Sequence, residues 1–274
     1  MSEIHGITDL QLTQLTELVN RVHGFDFSNY SKASLKRRLS RIIMLKKISF
    51  IELCRQLSDE SGFFQWFLEE VTVNVTEMFR DPSFYKALHA QVVPHLSGLN
   101  HIRVWSAGCS SGEEVYSLSI LLNHAGLGGK SFLYGTDINS EVLNEARKGV
   151  YSLRKLKTYE ENYKQSELPW SLLDHFIVMN DSASLQAPFR QNTLFSIHNL
   201  INDGVFNEFQ LISCRNVFIY FEASLQEKIL TLFYNSLAPD GFLCLGTKET
   251  IRFQDMKAKF RVVNSRANIY QKIG

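Results

Sequence analysis

The sequence predicts an α/β fold. It reads as a mostly parallel sheet with helices on both faces and a C-terminal antiparallel hairpin, preceded by a small all-α domain and carrying a small inserted β-subdomain. Three observations carry this. Up to about residue 72 the apolar residues recur at spacings of three and four, as Leu12, Leu15, Leu18, Val19 and Val22 do, which is the helical period. After about residue 100 short apolar runs alternate with helical patterns, the texture of strand, helix, strand units in one parallel sheet. Between about residues 150 and 191 that alternation fails, and "HFIVMNDSASLQAP" within the stretch reads as a hairpin turning at Asn180 and Asp181.

Taken in order, residues 7–72 predict a bundle of short helices, one of them opening at "SDESGFFQWFLEEVT", where Ser and Asp precede a Phe- and Trp-rich stripe suited to a core. "HIRVWSAG", "SFLYGTD", "FQLISCRN" and "GFLCLGT" predict buried strands. Gly112–Ala125, Ser140–Lys148 and Ala223–Leu237 predict the helices between them. "FRVVNSRANIYQKI" predicts the closing hairpin, with its turn at Asn264 and Ser265. The expected domains are therefore 1–72 and 73–274, the second interrupted at about 150–191.

Composition narrows the function classes. With 274 residues and 45% hydrophobic content the chain can bury a substantial core. Its 29 Lys and Arg against 28 Asp and Glu leave +1, so no global field points to nucleic acid or to a membrane surface. Cys54, Cys109, Cys214 and Cys244 are scattered, with no C-x-x-C pair and no His at ligand spacing, which predicts reduced thiols and neither disulfide nor metal. The first residues lack a basic segment followed by an apolar one, and no run approaches the roughly 18 apolar residues of a membrane span. A cytoplasmic monomer without nucleic-acid partner or membrane insertion is expected.

"WSAGCSSGEEVYSL" ends a strand on small residues and opens a helix with two acids. Gly108 and Gly112 permit close ligand approach beyond the carboxyl end of a parallel strand, where open sheets bind their ligands. A phosphate would seek the positive helix N-terminus, yet Glu113 and Glu114 stand there, so the pocket favours a ligand presenting a cation. The dinucleotide fingerprint is also incomplete, because position 110 is Ser. Asp137 ends the next strand, where a carboxylate accepts ribose hydroxyls; it is equally suited to capping the following helix, a task open to Asn139 and Ser140 as well. An adenosine carrying a cation and no phosphate describes S-adenosylmethionine.

Four further stretches make the pattern specific: "VNVTEMFRDP" at 73–82, "HNL" at 198–200, "ISCRNVFIYF" at 212–221 and "LAPDGFLCLGTKET" at 237–250. Arranged in this order around the glycine turn, they resemble the chemotaxis receptor glutamate methyltransferases, the CheR family, over essentially the whole chain. The resemblance implies a class I S-adenosylmethionine-dependent methyltransferase fold, Rossmann-like, and transfer of a methyl group to glutamate side chains of a chemoreceptor's cytoplasmic domain, as in sensory adaptation. It implies that Asn74, Thr76 and Arg80 approach the methionine end of the donor, Arg80 matching its carboxylate. Gly108 lets the backbone pass close, Glu113 takes the ammonium, Asp137 the ribose, and Asn199 and Leu200 flank the adenine. Arg215, Asn216 and Val217 border the transfer site. Three departures from the family pattern touch no donor-contacting side chain: Met78, Val115, and the absence of an acid at the start of "FQLI".

For catalysis, Tyr220 is the expected group orienting the incoming carboxylate, with Arg215 as the alternative, both by proximity to Asn216. For docking, "SNYSKASLKRRLSRIIMLKKIS" carries Lys32, Lys36, Arg37, Arg38, Arg41, Lys46 and Lys47 with no acid; Arg37, Arg38 and Arg41 are expected to face an acidic receptor helix. The inserted hairpin is a possible edge for strand addition by the receptor's C-terminal peptide. The alternative is a donor-binding regulatory module in a chemosensory array unrelated to motility, against which the intact Arg80, Glu113, Asp137 and Asn216 set argues.

Overall fold

The computed structural model describes residues 6–59, 61–72 and 75–273. The chain divides into two compact units: residues up to 74 together with 219–228, and residues 75–218 with 229–274.

The first unit is helical. Helix α1 (Asp9–His23) starts on a capping box in which Thr8 and Gln11 satisfy each other's backbone N–H groups at 3.0 and 3.2 Å. It buries Leu12, Leu15 and Val19, while α2 (Lys32–Lys46) buries Leu35, Leu39 and Ile42. Helix α3 (Phe50–Asp59) adds Leu53 and Leu57, and α4 (Ser61–Val71) adds Phe63, Phe67 and Leu68. The stripe at period 3.6 thus supplies core residues on each of these helices, although Val22 at the end of α1 is exposed. Two backbone bonds tie the 219–228 segment in, Ser31 N–H to Tyr220 O at 2.8 Å and Glu222 N–H to Asn29 O at 2.9 Å.

The second unit begins with α5 (Pro82–Gln91) and α6 (Val93–Ser97), each opened by a proline in its first turn. Then follow β1 (Ile102–Ala107), α7 (Glu113–His124), β2 (Ser131–Asp137) and α8 (Ser140–Lys148). The insertion consists of β3 (Val150–Ser152), α9 (Leu153–Gln165), β4 (Phe176–Met179) and β5 (Ser182–Leu185), its strands forming an antiparallel sheet ordered β3-β5-β4. The hairpin at Asn180 and Asp181 is present as expected; α9 and β3 are additions to that expectation. The chain resumes with β6 (Thr193–Ile197), β7 (Phe209–Cys214), α10 (Ala223–Ser236), β8 (Leu237–Leu245), α11 (Gln254–Lys257), β9 (Phe260–Asn264) and β10 (Ile269–Lys272).

The main sheet is ordered β6-β2-β1-β7-β8-β10-β9. Strands β6, β2, β1, β7 and β8 run parallel, and β10 pairs antiparallel with both β8 and β9. From β1 the chain moves outward through β2 to β6, then returns to the other side of β1 at β7. Strand order reverses at β1, and a crevice opens beyond the carboxyl ends of strands at such a point. Buried Ile102, Val104 and Trp105 on β1, and Leu211 and Ile212 on β7, show why these runs read as continuously apolar.

Candidate active site

The glycine turn leaves β1 at this reversal. Both Gly108 N–H and Cys109 N–H donate to Thr136 O, at 2.8 and 2.9 Å, so the turn is fastened to the last residues of β2. Gly108 has φ 76°, and a Cβ there would stand 2.6 Å from Val217 Cγ2. The turn after β7 therefore packs on the turn after β1, and only glycine fits between them.

Asp137 stands at the end of β2. Its Oδ2 accepts Ser110 N–H at 2.9 Å and its Oδ1 accepts Asn139 N–H at 3.0 Å, with the Ile138 N–H a third backbone donor to the carboxylate. Burial raises its pKa above the ordinary carboxylate value, opposed by those backbone donors. The capping task falls to Asn139, whose Oδ1 accepts Glu141 and Val142 N–H. Ile197 pairs with Asp137 in register, and His198 N–H donates to Asp137 O at 3.2 Å. Asn199 and Leu200 follow this backbone pairing in sequence, Leu200 buried and Asn199 half-buried.

The two acids opening α7 have separate fates. Glu113 is fully buried, accepting from Ser111 Oγ at 2.7 Å, Tyr159 OH at 2.8 Å and Lys155 Nζ at 3.2 Å. Glu114 turns to Ser106 Oγ at 2.9 Å and to Arg215 at 3.1 Å. From the sequence both carboxylates are expected to disfavour a diphosphate. In the structure the buried Arg215 compensates Glu114, whereas the cation beside Glu113, Lys155, is half in water.

Arg215 is itself a correction. Expected as an alternative orienting group beside the transfer site, it has a side chain only 1% exposed. Its guanidinium donates to Asp81 at 2.8 Å, Glu114 at 3.1 Å and Arg80 O at 2.9 Å, and lies 3.9 Å from the Phe84 ring centroid. These partners leave it the part of a buried brace between β7, α7 and the start of α5.

Arg80 is half-buried, donating to Val75 O at 3.0 Å, and has no acidic partner among the described residues. Thr76 is half-buried; Asn74 lies outside the described residues. Asn216 adopts φ 62° and is half-buried, as is Val217. Tyr220 falls in the helical unit, half-buried in a single 3₁₀ turn, Phe218–Tyr220. On α2, Leu35, Leu39 and Ile42 are buried, Arg37 and Arg41 exposed and Arg38 half-buried. The run lacks acids in sequence but not in space: Asp9 of α1 pairs with Lys36 at 2.9 Å and Glu70 of α4 approaches Arg41 at 3.8 Å.

Two family models match this chain: the CheR methyltransferase SAM binding domain over residues 74–269, and the CheR methyltransferase all-alpha domain over residues 10–72. The chain belongs to the CheR methyltransferase family. A protein described as putative methyltransferase Cher3, from Pseudomonas putida, is 38% identical over 266 residues, covering 97% of this chain and 97% of that protein. Chemotaxis protein methyltransferases from Listeria innocua and Escherichia coli are 33% and 28% identical, covering 89% and 95% of this chain and 92% and 90% of theirs.

The CheR SAM-binding domain matches residues 74–269, which include the glycine turn, Asp137 and the turn after β7, so the methyl donor is S-adenosylmethionine and the chain is a SAM-dependent methyltransferase. The residues fit this donor. Asp137 retains acceptor capacity for a hydroxyl, Glu113 is a buried carboxylate already matched to an ammonium, and Arg80 is a guanidinium without an acidic partner among the described residues. Sequence reasoning missed Ser111, Lys155 and Tyr159 as partners of Glu113. The spacing of Lys155 and Tyr159 puts them on one helix face, but only the fold reveals what that face meets.

Proposed function

We propose that this CheR methyltransferase esterifies glutamate side chains on the cytoplasmic helices of a chemoreceptor, giving the glutamate 5-methyl ester and S-adenosylhomocysteine. The supporting observation is that the carboxylates around the transfer turn are engaged by other groups of the protein. Among the described residues there, Glu114 and Asp81 are spent on Arg215, Glu113 on Tyr159, Ser111 and Lys155, and Glu249 accepts the Asn216 and Gly246 N–H groups. Burial pushes the thiols of Cys109, Cys214 and Cys244 up, so they are neutral and poor nucleophiles. An acceptor that must lose a proton would be badly served. A glutamate carboxylate, with an unperturbed pKa of about 4.3, is already ionised.

When bound, S-adenosylmethionine supplies an electrophilic methyl group on a sulfonium. The protein's task is placement and exclusion of water, and alignment of reacting groups is worth up to about 7–11 kcal/mol. Asp137, Glu113 and Arg80 hold the ribose, ammonium and carboxylate ends, Asn199 and Leu200 flank the base, and Asn216 and Val217 border the transfer position. Asn74 and Thr76 complete the methionine end, and Tyr220 orients the acceptor; these roles rest on the family resemblance. Exposed Arg37 and Arg41, with Arg38 beside them, form the docking surface for an acidic receptor helix. Strand β4 is an edge with exposed Ile177, Val178 and Met179, which supports addition of a receptor peptide there.

The test is incubation with methyl-labelled donor and acidic receptor fragments. Alkali-labile label on glutamate is expected, while binding of S-adenosylhomocysteine with no ester on any receptor fragment would favour the regulatory-module reading.

A further inference from the structure

The loop after β8, residues 246–253, carries a buried carboxylate to which neither the glycine turn nor the donor set assigns a part. Glu249 is 4% exposed. Its Oε2 accepts the N–H of Asn216 at 2.9 Å and the N–H of Gly246 at 2.6 Å. A charged acceptor makes such bonds stronger than a neutral one. The first of these donors belongs to a residue in the left-handed region, φ 62°, a conformation that a non-glycine residue keeps only where its surroundings enforce it.

The contact is close on all sides. A Cβ on Gly246 would stand 2.6 Å from Glu249 Oε2 and 2.7 Å from Asn216 N, so glycine is required where these groups meet. Gly246 O accepts Asn268 Nδ2 at 2.8 Å, and Leu245 N–H donates to Asn268 O at 3.0 Å, which anchors the clasp on the residue entering β10. On the opposite side of the same turn, Val217 packs against Gly108. The Asn216–Val217 turn is therefore held between the glycine turn and a carboxylate rooted in the closing hairpin.

We infer that Glu249 is a positioning residue for methyl transfer: its grip on the Asn216 and Gly246 N–H groups sets the left-handed turn that presents Asn216 and Val217 to the donor. The inference rests on the reading above only in placing Asn216 and Val217 at the donor. Glu249→Ala strands two buried donors, whereas Glu249→Gln retains an acceptor oxygen.

The experiment combines S-adenosylhomocysteine titration, turnover on a receptor fragment, and amide exchange in the ligand-free protein. Glu249→Ala should weaken product binding at least tenfold and lower turnover at least thirtyfold, with KM for receptor within twofold. Exchange at the Asn216 and Gly246 amides should accelerate, and Glu249→Gln should recover most of each loss. A lowered Tm with product affinity within twofold and turnover within threefold of wild type marks a merely structural residue and overturns the inference. Should Glu249→Ala fail to fold, Gly246→Ala drives a Cβ into the same carboxylate, and unchanged product affinity there overturns it equally. Product titration needs no acceptor, so a wild type that esterifies no receptor fragment defeats the acceptor reading and leaves this one standing.

Discussion

The ammonium of Lys155 stands 3.2 Å from Oε1 of Glu113, a carboxylate with no exposed surface. A buried carboxylate without a cation is costly, and Lys155 supplies one from a side chain 48% exposed. Under the proposed function the donor's ammonium seeks the same oxygen, so protein cation and donor cation would compete. Lys155→Met should lower the Tm of the ligand-free protein and tighten S-adenosylhomocysteine binding about fivefold, or about 1 kcal/mol, a figure kept small because the pair is half in water. Calorimetric titration and a melt of each form check this, and weaker binding would show that Lys155 assists the donor.

Arg215 braces three elements. Substituting Met removes a charge that Asp81 and Glu114 both require, and breaking a buried pair costs about 3–5 kcal/mol. The lower end, about 3 kcal/mol, is expected because Asp81 and Glu114 keep 28% and 15% of their side-chain surface exposed. Urea denaturation reads this directly. Arg215→Lys should recover little, since one ammonium cannot reproduce the fork shared among Asp81, Glu114 and Arg80 O.

Asp137 makes donor binding depend on pH. Its pKa in the folded protein lies above the unfolded 3.8, so between those two values the folded state holds a proton that the unfolded state has lost. Its contribution to the stability of the ligand-free protein is therefore complete below about 3.8 and declines as pH rises through the folded value. Ribose hydroxyls donate best to the ionised form, so product affinity should increase over the same window. Titration of S-adenosylhomocysteine at several pH values should show the rise in wild type and a flat, weaker profile in Asp137→Asn.

Charge reversal at Arg37 and Arg41 tests the docking surface. Both are exposed on α2, while Leu35, Leu39 and Ile42 on its other side are buried. The double variant Arg37→Glu, Arg41→Glu should raise KM for receptor about tenfold and leave product affinity within twofold, and salt should raise the wild-type KM in the same sense. Equal turnover on a receptor fragment at sub-saturating concentration would remove this face from the interface.

Local pattern determined a great deal of this protein. The switch from period 3.6 to buried runs separates helices such as α1 and α2 from β1, β2, β7 and β8, because a helix and a pleated strand each repeat their buried positions at a fixed short interval. The glycine turn, Asp137 and the "CRNVFIYF" stretch were legible for the same reason, each being a short segment whose residue types carry their own geometry. Helix α9 was less so. Buried Leu156, Tyr159 and Tyr163 follow the helical spacing, but they stand among lysines and glutamates, and the segment's purpose shows only where Tyr159 reaches Glu113.

What the tertiary structure alone decided is which charges are spent on each other. Arg215 meets Glu114 across 101 positions, Asn216 meets Glu249 across 33, and Lys36 and Arg41 find Asp9 and Glu70 on neighbouring helices. No local pattern encodes such pairs, because charge acts through space and burial sets its strength. The sequence by itself determined the fold and the residue types available for a cationic nucleoside. Folding determined that Glu114 is spent on a buried arginine, that the cation meeting Glu113 is a half-exposed lysine, and that Glu249 is bonded to the Asn216 and Gly246 N–H groups.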